Sequence, residues 1–318
     1  MIRYRTFRND DPPGLTAIWN AAGLGRGAAT PISPGLFDRD ILAKPYFDPP
    51  GLIVAEDNET PIGFAHAGFG PNEDETEVDT RAGVLCAVLV RPEYRRRGIG
   101  SELLRRAEQY LREEGATQLT AGCAPPANPF YFGLYGGSDI RGILDSDKAA
   151  EPFLRRHGYQ SLPPTVVLAR RLGEKPITGD SRWADLRQRY EVQFVSLAAI
   201  PSWWQDCRLG MIEPAEFRLV DRIGNQTTAA RIIAWEMASF EPKWNAPTVG
   251  ILDMVVRSDV RRRGLGRFLL GIMLRTIEEQ RFAAIEAHCE ESNAAGLGLL
   301  HGLGFVQVDR GRTYRKSG

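Results

Sequence analysis

The strongest constraint on this chain is that one stretch of it occurs twice. Val84–Gly100 reads VLCAVLVRPEYRRRGIG, and Ile251–Gly266 reads ILDMVVRSDVRRRGLG. At an offset of 166 residues, Val90 falls on Val256, Arg91 on Arg257, Gly98 on Gly264 and Gly100 on Gly266. The apolar stripe that follows repeats as well: Leu103, Leu104, Ala107 and Leu111 fall on Leu269, Leu270, Met273 and Ile277, and Cys123 falls on Cys289. A strand, a turn and a helix recurring in register mark a duplicated domain. Each copy has a short β-branched run of buried-strand length, then an arginine-rich turn, then apolar positions at helical spacing. The glycines lack a Cβ and let the backbone turn sharply, so successive N–H groups leave a helix N-terminus pointing outward. Such a cluster of donors is an anion site.

A chain of 318 residues accommodates two domains of about 150 residues, each with its own core. Forty basic and forty acidic residues cancel, which argues against broad capture of nucleic acid or anionic membrane. The four cysteines (Cys86, Cys123, Cys207, Cys289) lack close metal-ligand spacing and read as free thiols of a reducing compartment. The N-terminus MIRYRTFRND has no apolar signal region and no later run reaches membrane length. The expectation is a cytoplasmic protein, monomeric or homodimeric, with no metal, nucleic-acid or membrane partner.

Along the first half, Ile2–Arg8 reads as a strand, Gly14–Ala22 as a short helix and Gly23–Gly35 as an irregular loop near a cleft. Leu52–Glu56 and Ile62–Phe69 form a hairpin, and Asn72–Asp79 an acidic solvated loop. After the repeated unit, Gln118–Cys123 is the next strand. Residues 124–146 then interrupt the pattern with proline, glycine and aromatics, reading either as a surface insertion with its own packing cluster or as a substrate wall. Ala149–His157 is a helix and Thr165–Leu172 a closing strand. This gives a first domain over 1–172, a linker over 173–181 and a second domain over 182–318. The second domain runs Tyr190–Leu197 (strand), Pro201–Leu209 (helix), Glu216–Val220 and Ala229–Phe240 (hairpin), the repeated unit, Ala284–Glu290 (strand), Asn293–Gly302 (helix) and Phe305–Arg315 (strand). Each half is a mixed sheet with helices, an α/β or α+β unit.

The turns Arg95-x-x-Gly98-x-Gly100 and Arg261-x-x-Gly264-x-Gly266, each after a strand ending Val-Arg, resemble the acetyl-CoA signature of the GNAT N-acetyltransferase superfamily. In the second half Asn293, Leu299 and Gly304–Phe305 stand where that superfamily carries an Asn, a leucine and a Gly-Phe. Phe153, Leu154, Gly158 and Tyr159 end the first half similarly. The resemblance implies two tandem GNAT-like domains, each with a mostly antiparallel mixed sheet and a V-shaped opening beside its repeated strand. It implies that Leu89 and Val90, and Val255 and Val256, bond the pantetheine arm of coenzyme A through their main chain. The turns Arg95, Arg96, Arg97, Gly98, Ile99, Gly100, Ser101 and Arg261, Arg262, Arg263, Gly264, Leu265, Gly266 would hold its pyrophosphate, with Asn293 a further contact. Neither turn carries the Gly-Lys-Ser/Thr of a nucleotide P-loop, and the glycine spacing differs from a dinucleotide fingerprint.

Acetyl transfer to an amine needs a proton acceptor, an oxyanion donor and a proton for the leaving thiolate. A backbone N–H of the repeated strand can serve the oxyanion. The superfamily often carries a tyrosine on its last helix as proton donor; here those places hold Leu154 and Leu300. In the first half Tyr131 or Tyr135 is a candidate acid and Asp139 a candidate base. In the second, Asp253 is a candidate base, with Glu286 and His288 on one strand face as a relay. Trp203, Trp204, Trp235 and Trp244 read as core or interface residues, with an acceptor pocket as the other reading. The expected function is acetyl transfer from acetyl-CoA to a primary amine, small molecule or peptide, by at least one half. The alternative is a non-catalytic acyl-CoA-binding sensor.

Overall fold

The computed structural model describes residues 1–174, 176–177, 179, 181–223 and 226–316. Of the expected linker 173–181, Lys175, Thr178 and Asp180 lie outside the described residues. In chain order the first half runs β1 (Ile2–Thr6), α1 (Pro12–Ala21), α2 (Pro34–Phe37), β2 (Leu52–Asp57), β3 (Thr60–Pro71), β4 (Val78–Val90), α3 (Ile99–Glu113), β5 (Gln118–Ala121), β6 (Ile143–Leu144), α4 (Ala150–Arg156), β7 (Tyr159–Ser161) and β8 (Thr165–Arg171). There follow α5 (Trp183–Arg189), β9 (Tyr190–Val195), α6 (Trp203–Leu209), β10 (Ala215–Asp221), β11 (Thr228–Glu236), α7 (Glu241–Trp244), β12 (Thr248–Val256), α8 (Leu265–Glu279), β13 (Ala284–Glu290), α9 (Ala294–Gly302), β14 (Val306–Arg312) and β15 (Tyr314–Lys316).

The repeat seen in the sequence is a repeat in space. Strands β4 and β12 end on Val90 and Val256, and α3 and α8 are 15 residues each and start 166 positions apart. Both helices bury their apolar stripe, with Leu103, Leu104, Ala107 and Leu111 matched by Leu269, Leu270, Met273 and Ile277. The pairing irregularities repeat too. The antiparallel ladder of β3 with β4 skips Cys86, and that of β11 with β12 skips Leu252, again 166 positions on. A β-bulge bends its strand and ends regular pairing. The parallel partners accordingly stop there: β4 pairs β5 only from Ala82 to Leu85, and β12 pairs β13 only from Thr248 to Ile251. Beyond each bulge the two strands part and leave an opening.

The two sheets exchange strands. The first has the order β1-β2-β3-β4-β5-β15-β7 and the second β6-β14-β8-β13-β12-β11-β10-β9. Thr165–Leu172, expected to close the first half, instead forms β8 and pairs with β13 and β14 of the second sheet. The single final strand expected over Phe305–Arg315 is two strands. Its last part, β15, pairs with β5 and β7 of the first sheet. Periodicity marks a residue as strand-forming but says nothing of which sheet takes it, so local pattern could not give this exchange.

Three cores follow. One lies under α3, one under α8, and the third joins the halves, packing Trp19, Phe37, Phe130, Phe132 and Ile140 with Leu209, Trp235, Met237 and Phe240. The insertion 124–146 supplies much of this shared core. Trp204, Trp235 and Trp244 are interface residues whose indole N–H groups donate to Pro126, Ser138 and Arg26 carbonyls of the first half, at 3.0, 2.9 and 3.2 Å. Among the described residues, no helix is long and apolar enough to cross a membrane.

Candidate functional site

The two turns have the same backbone. Gly98 and Gly264 both lie at φ +82°, and Arg96 and Arg262 at +64° and +62°. Left-handed residues on either side of an arginine bring consecutive amides round to one side, with glycine at the helix cap where a Cβ is disfavoured. The first amides returned to the fold are those of Glu102, on Gly98 O, and of Phe268, on Gly264 O. Among the described residues, the amides of 96–101 and of 262–267 meet no protein acceptor. Six outward donors at a helix N-terminus are the donor set that a diphosphate needs. The arginines have divided roles. Arg95 Nε donates to Val90 O at 3.0 Å and its Nη2 to Ala22 O at 2.5 Å, while Arg97 donates to Glu93 O. Arg261 and Arg263 repeat the bonds to Val256 O and Asp259 O.

In the first half a cleft of about 630 Å³ runs from this turn to the point where β4 and β5 part. Gly98, Gly100 and Ser101 line its turn end with Arg95 and Arg96; Leu89 and Val90 line its length; Cys86, Cys123, Tyr131 and Trp19 line the far end. Ile99, by contrast, the first residue of α3, is buried. Arg97 lies over the Tyr94 ring and Ser101 Oγ is 3.0 Å from His157 Nε2.

Tyr135, named from sequence, does line this cleft. Its hydroxyl accepts from the Leu144 amide at 3.0 Å and, among the described residues, donates to none. Burial, reinforced by Asp147, pushes the phenol well above its ordinary value, so it keeps its proton. Tyr131 lines the cleft as well, but its hydroxyl is 3.0 Å from His66 Nδ1. Asp139, the candidate base of the first half, is ion-paired with Arg208 and Arg141 at 3.0 and 2.9 Å. Sequence reasoning missed Asp147, the one carboxylate among the described residues lining the cleft. Burial raises its carboxyl above the usual range. The signal for it is slight, an aspartate two residues ahead of the α4 N-cap.

In the second half the corresponding surface is covered. Where the first half has Thr120 and Gly122, the second has Glu286 and His288. Arg26 ion-pairs with Glu286 at 2.5 Å and the Ser138 amide donates to it at 2.8 Å. Gly137 lies so close that a Cβ there would overlap the carboxylate. Burial pushes Glu286 up, but His288, Arg26 and the Ser138 amide outweigh it and hold the carboxyl below its ordinary range. His288 is 3.6 Å from Glu286 with a side chain 3% exposed, and among the described residues neither ring nitrogen has a hydrogen bond. Glu286 and His288 thus stand side by side out of solvent, with first-half residues packed on Glu286. Met254, at the position of Val88, reaches the start of α8 beside Gly266, and Leu299 joins it there. Val255 is exposed and Val256 half-buried. Asp253, expected beside the acyl site, is 42% exposed and ion-paired with Arg231 at 3.2 Å. Asn293 caps α9, accepting from the Gly296 amide at 2.9 Å. Arg182, ahead of α5, lies next to the Gly264 turn.

A family model described as the acetyltransferase (GNAT) family matches this chain twice, over residues 28–135 and 182–305. The chain belongs to the GNAT family. Solved structures agree on the fold and on its duplication. A tandem GNAT protein from the clavulanic acid biosynthesis pathway superposes with a TM-score of 0.69 at 17% identity, over 99% of this chain and 98% of that one. A GCN5-related N-acetyltransferase from Sphaerobacter thermophilus gives 0.60 at 14% identity, over 99% and 95%. The glucosamine N-acetyltransferase region of a fungal multi-domain GH3 β-N-acetylglucosaminidase gives 0.74 at 15% identity, and there this chain spans 38% of the other's length. At these identities the likeness is one of fold. This GNAT chain has two mixed sheets flanked by helices, and family membership implies an acyl-CoA donor and an amine acceptor.

Proposed function

We propose that this GNAT protein transfers an acetyl group from acetyl-CoA to a primary amine, and that its first half carries the reaction. The observation behind the choice is the continuous cleft from the free amides of 96–101 to Tyr135, set against the covered surface of the second half. Coenzyme A supplies an acyl group already activated as a thioester. The residues fit it: six amides for the diphosphate, and beyond Leu85 a strand edge with no β5 partner to bond the pantetheine arm.

Tyr135 donates a proton to the departing sulfur, a role for which a neutral phenol with an uncommitted hydrogen is suited. Asp147 takes the proton of the attacking amine; its raised carboxyl makes it a better acceptor than an exposed aspartate. Asp253 and His288 have no part in this assignment, one being ion-paired at the surface and the other enclosed. Acetyl-CoA turnover against an amine library tests the reading. Release of free thiol with one class of amine supports it, and CoA binding with no transfer to any amine leaves the sensor in its place.

A further inference from the structure

The cleft of the first half is uneven in charge. Its ionic side chains, Arg95, Arg96, Asp147, Lys148 and Arg156, belong to the turn, to α4 and to the two residues ahead of its N-cap. The end where β4 and β5 part is lined by Trp19, Cys86, Cys123, Tyr131 and Ile140, with Ala87 beside them. Behind Tyr131 stands His66, which burial holds neutral with its pKa lowered to about 3. Burial also pushes the Cys86 thiol and the Tyr131 phenol up, so these groups carry no charge at neutral pH. Trp19 and Tyr131 stack at 5.3 Å and 12°, and Tyr131 holds φ +70°, a conformation costly for a bulky residue. The Trp19 indole is already satisfied, donating to Ala29 O at 2.9 Å. A rigid aromatic wall with its polar atoms engaged offers area and dispersion but no counter-charge.

Resting on the acyltransferase reading above, we infer that this end of the cleft takes an uncharged apolar group, alkyl or aryl, and rejects a charged one. The group has two possible sources, an acyl chain longer than acetyl or the body of the acceptor amine. An ammonium or carboxylate placed there meets no partner, and a buried unpaired charge is strongly disfavoured. An alkyl chain gains with each methylene removed from water, roughly fourfold in affinity per group at full burial.

Two arms on the full chain separate the sources. Calorimetry compares desulfo-CoA with S-hexyl-CoA, a thioether that cannot transfer. Turnover with acetyl-CoA compares 2-phenylethylamine and hexylamine with spermidine and lysine. A gain of about tenfold or more for the hexyl thioether assigns the end to the acyl chain. An equal preference for the apolar amines assigns it to the acceptor. In either case Ala87→Leu, which fills the space, should erase the gain. Equal affinity for the two CoA derivatives, together with turnover as good on spermidine as on phenylethylamine, overturns the inference and leaves the acyltransferase reading standing. Failure of both CoA derivatives to bind overturns that reading with it.

Discussion

Arg95 and Arg261 do the same work 166 positions apart: the Nε of each donates to the last carbonyl of the preceding strand, Val90 O at 3.0 Å and Val256 O at 2.9 Å. Each arginine thus clamps its turn to its strand and leaves the turn's amides facing outward. The copies differ in one bond. Arg95 alone continues to Ala22 O, tying the turn to the end of α1 across the mouth of the cleft.

A lysine at position 95 cannot make both diverging bonds. Arg95→Lys should therefore weaken acyl-CoA affinity by about tenfold, the order expected for one or two lost hydrogen bonds. Arg261→Lys should leave turnover unchanged. Calorimetry and steady-state rates on the two variants check this.

Tyr135→Phe removes the proposed acid and spares its ring. Its kcat should fall by about a hundredfold or more, with CoA affinity little altered. Tyr131→Phe is the control. That hydroxyl already faces His66, so its loss should cost about 1 kcal/mol of stability with a far smaller effect on kcat. Pre-steady-state measurement of the transfer step distinguishes the two variants.

For Asp147 the pH dependence has a definite sign. A base acts when deprotonated, and burial raises this carboxyl above the ordinary 3.8. The rate should therefore fall as the medium is acidified through that raised value. Asp147→Asn should lose the acidic limb along with most of the rate. A pH–rate profile with the limb unchanged in the variant would assign the base elsewhere.

The repeated unit was legible because local chemistry determines it. A buried strand, two hinge glycines and an amphipathic helix are each written in consecutive residues, and α3 and α8 run as their spacing requires. Strand exchange was not legible. Val166 and Tyr314 carry no mark of which sheet receives them, and that choice depends on how the halves dock. The same docking decided the candidate site. Asp253 and His288 are both candidates in sequence, yet Arg231 lies beside one, and the other stands by Glu286, which Arg26 and the Ser138 amide hold. Asp147 went unseen because its place on the cleft wall comes from tertiary packing, which no short-range pattern records.

Arg26 and Glu286 hold the halves together at the covered surface. Arg26→Met takes the arginine away from a carboxylate with no exposure, which should destabilise the protein by about 3–5 kcal/mol. Replacing both, Arg26→Met with Glu286→Met, should recover most of that loss, since a buried pair is often matched by apolar side chains of similar size. Urea denaturation of the single and double variants measures both changes.

The measurement closest to the central claim compares Gly98→Val with Gly264→Val in one turnover assay. Both glycines sit at φ +82°, where valine is strained, so each substitution disturbs only its own turn. Acetyl transfer should collapse in Gly98→Val and persist near the wild-type rate in Gly264→Val. Activity that survives at position 98 and vanishes at position 264 would contradict it.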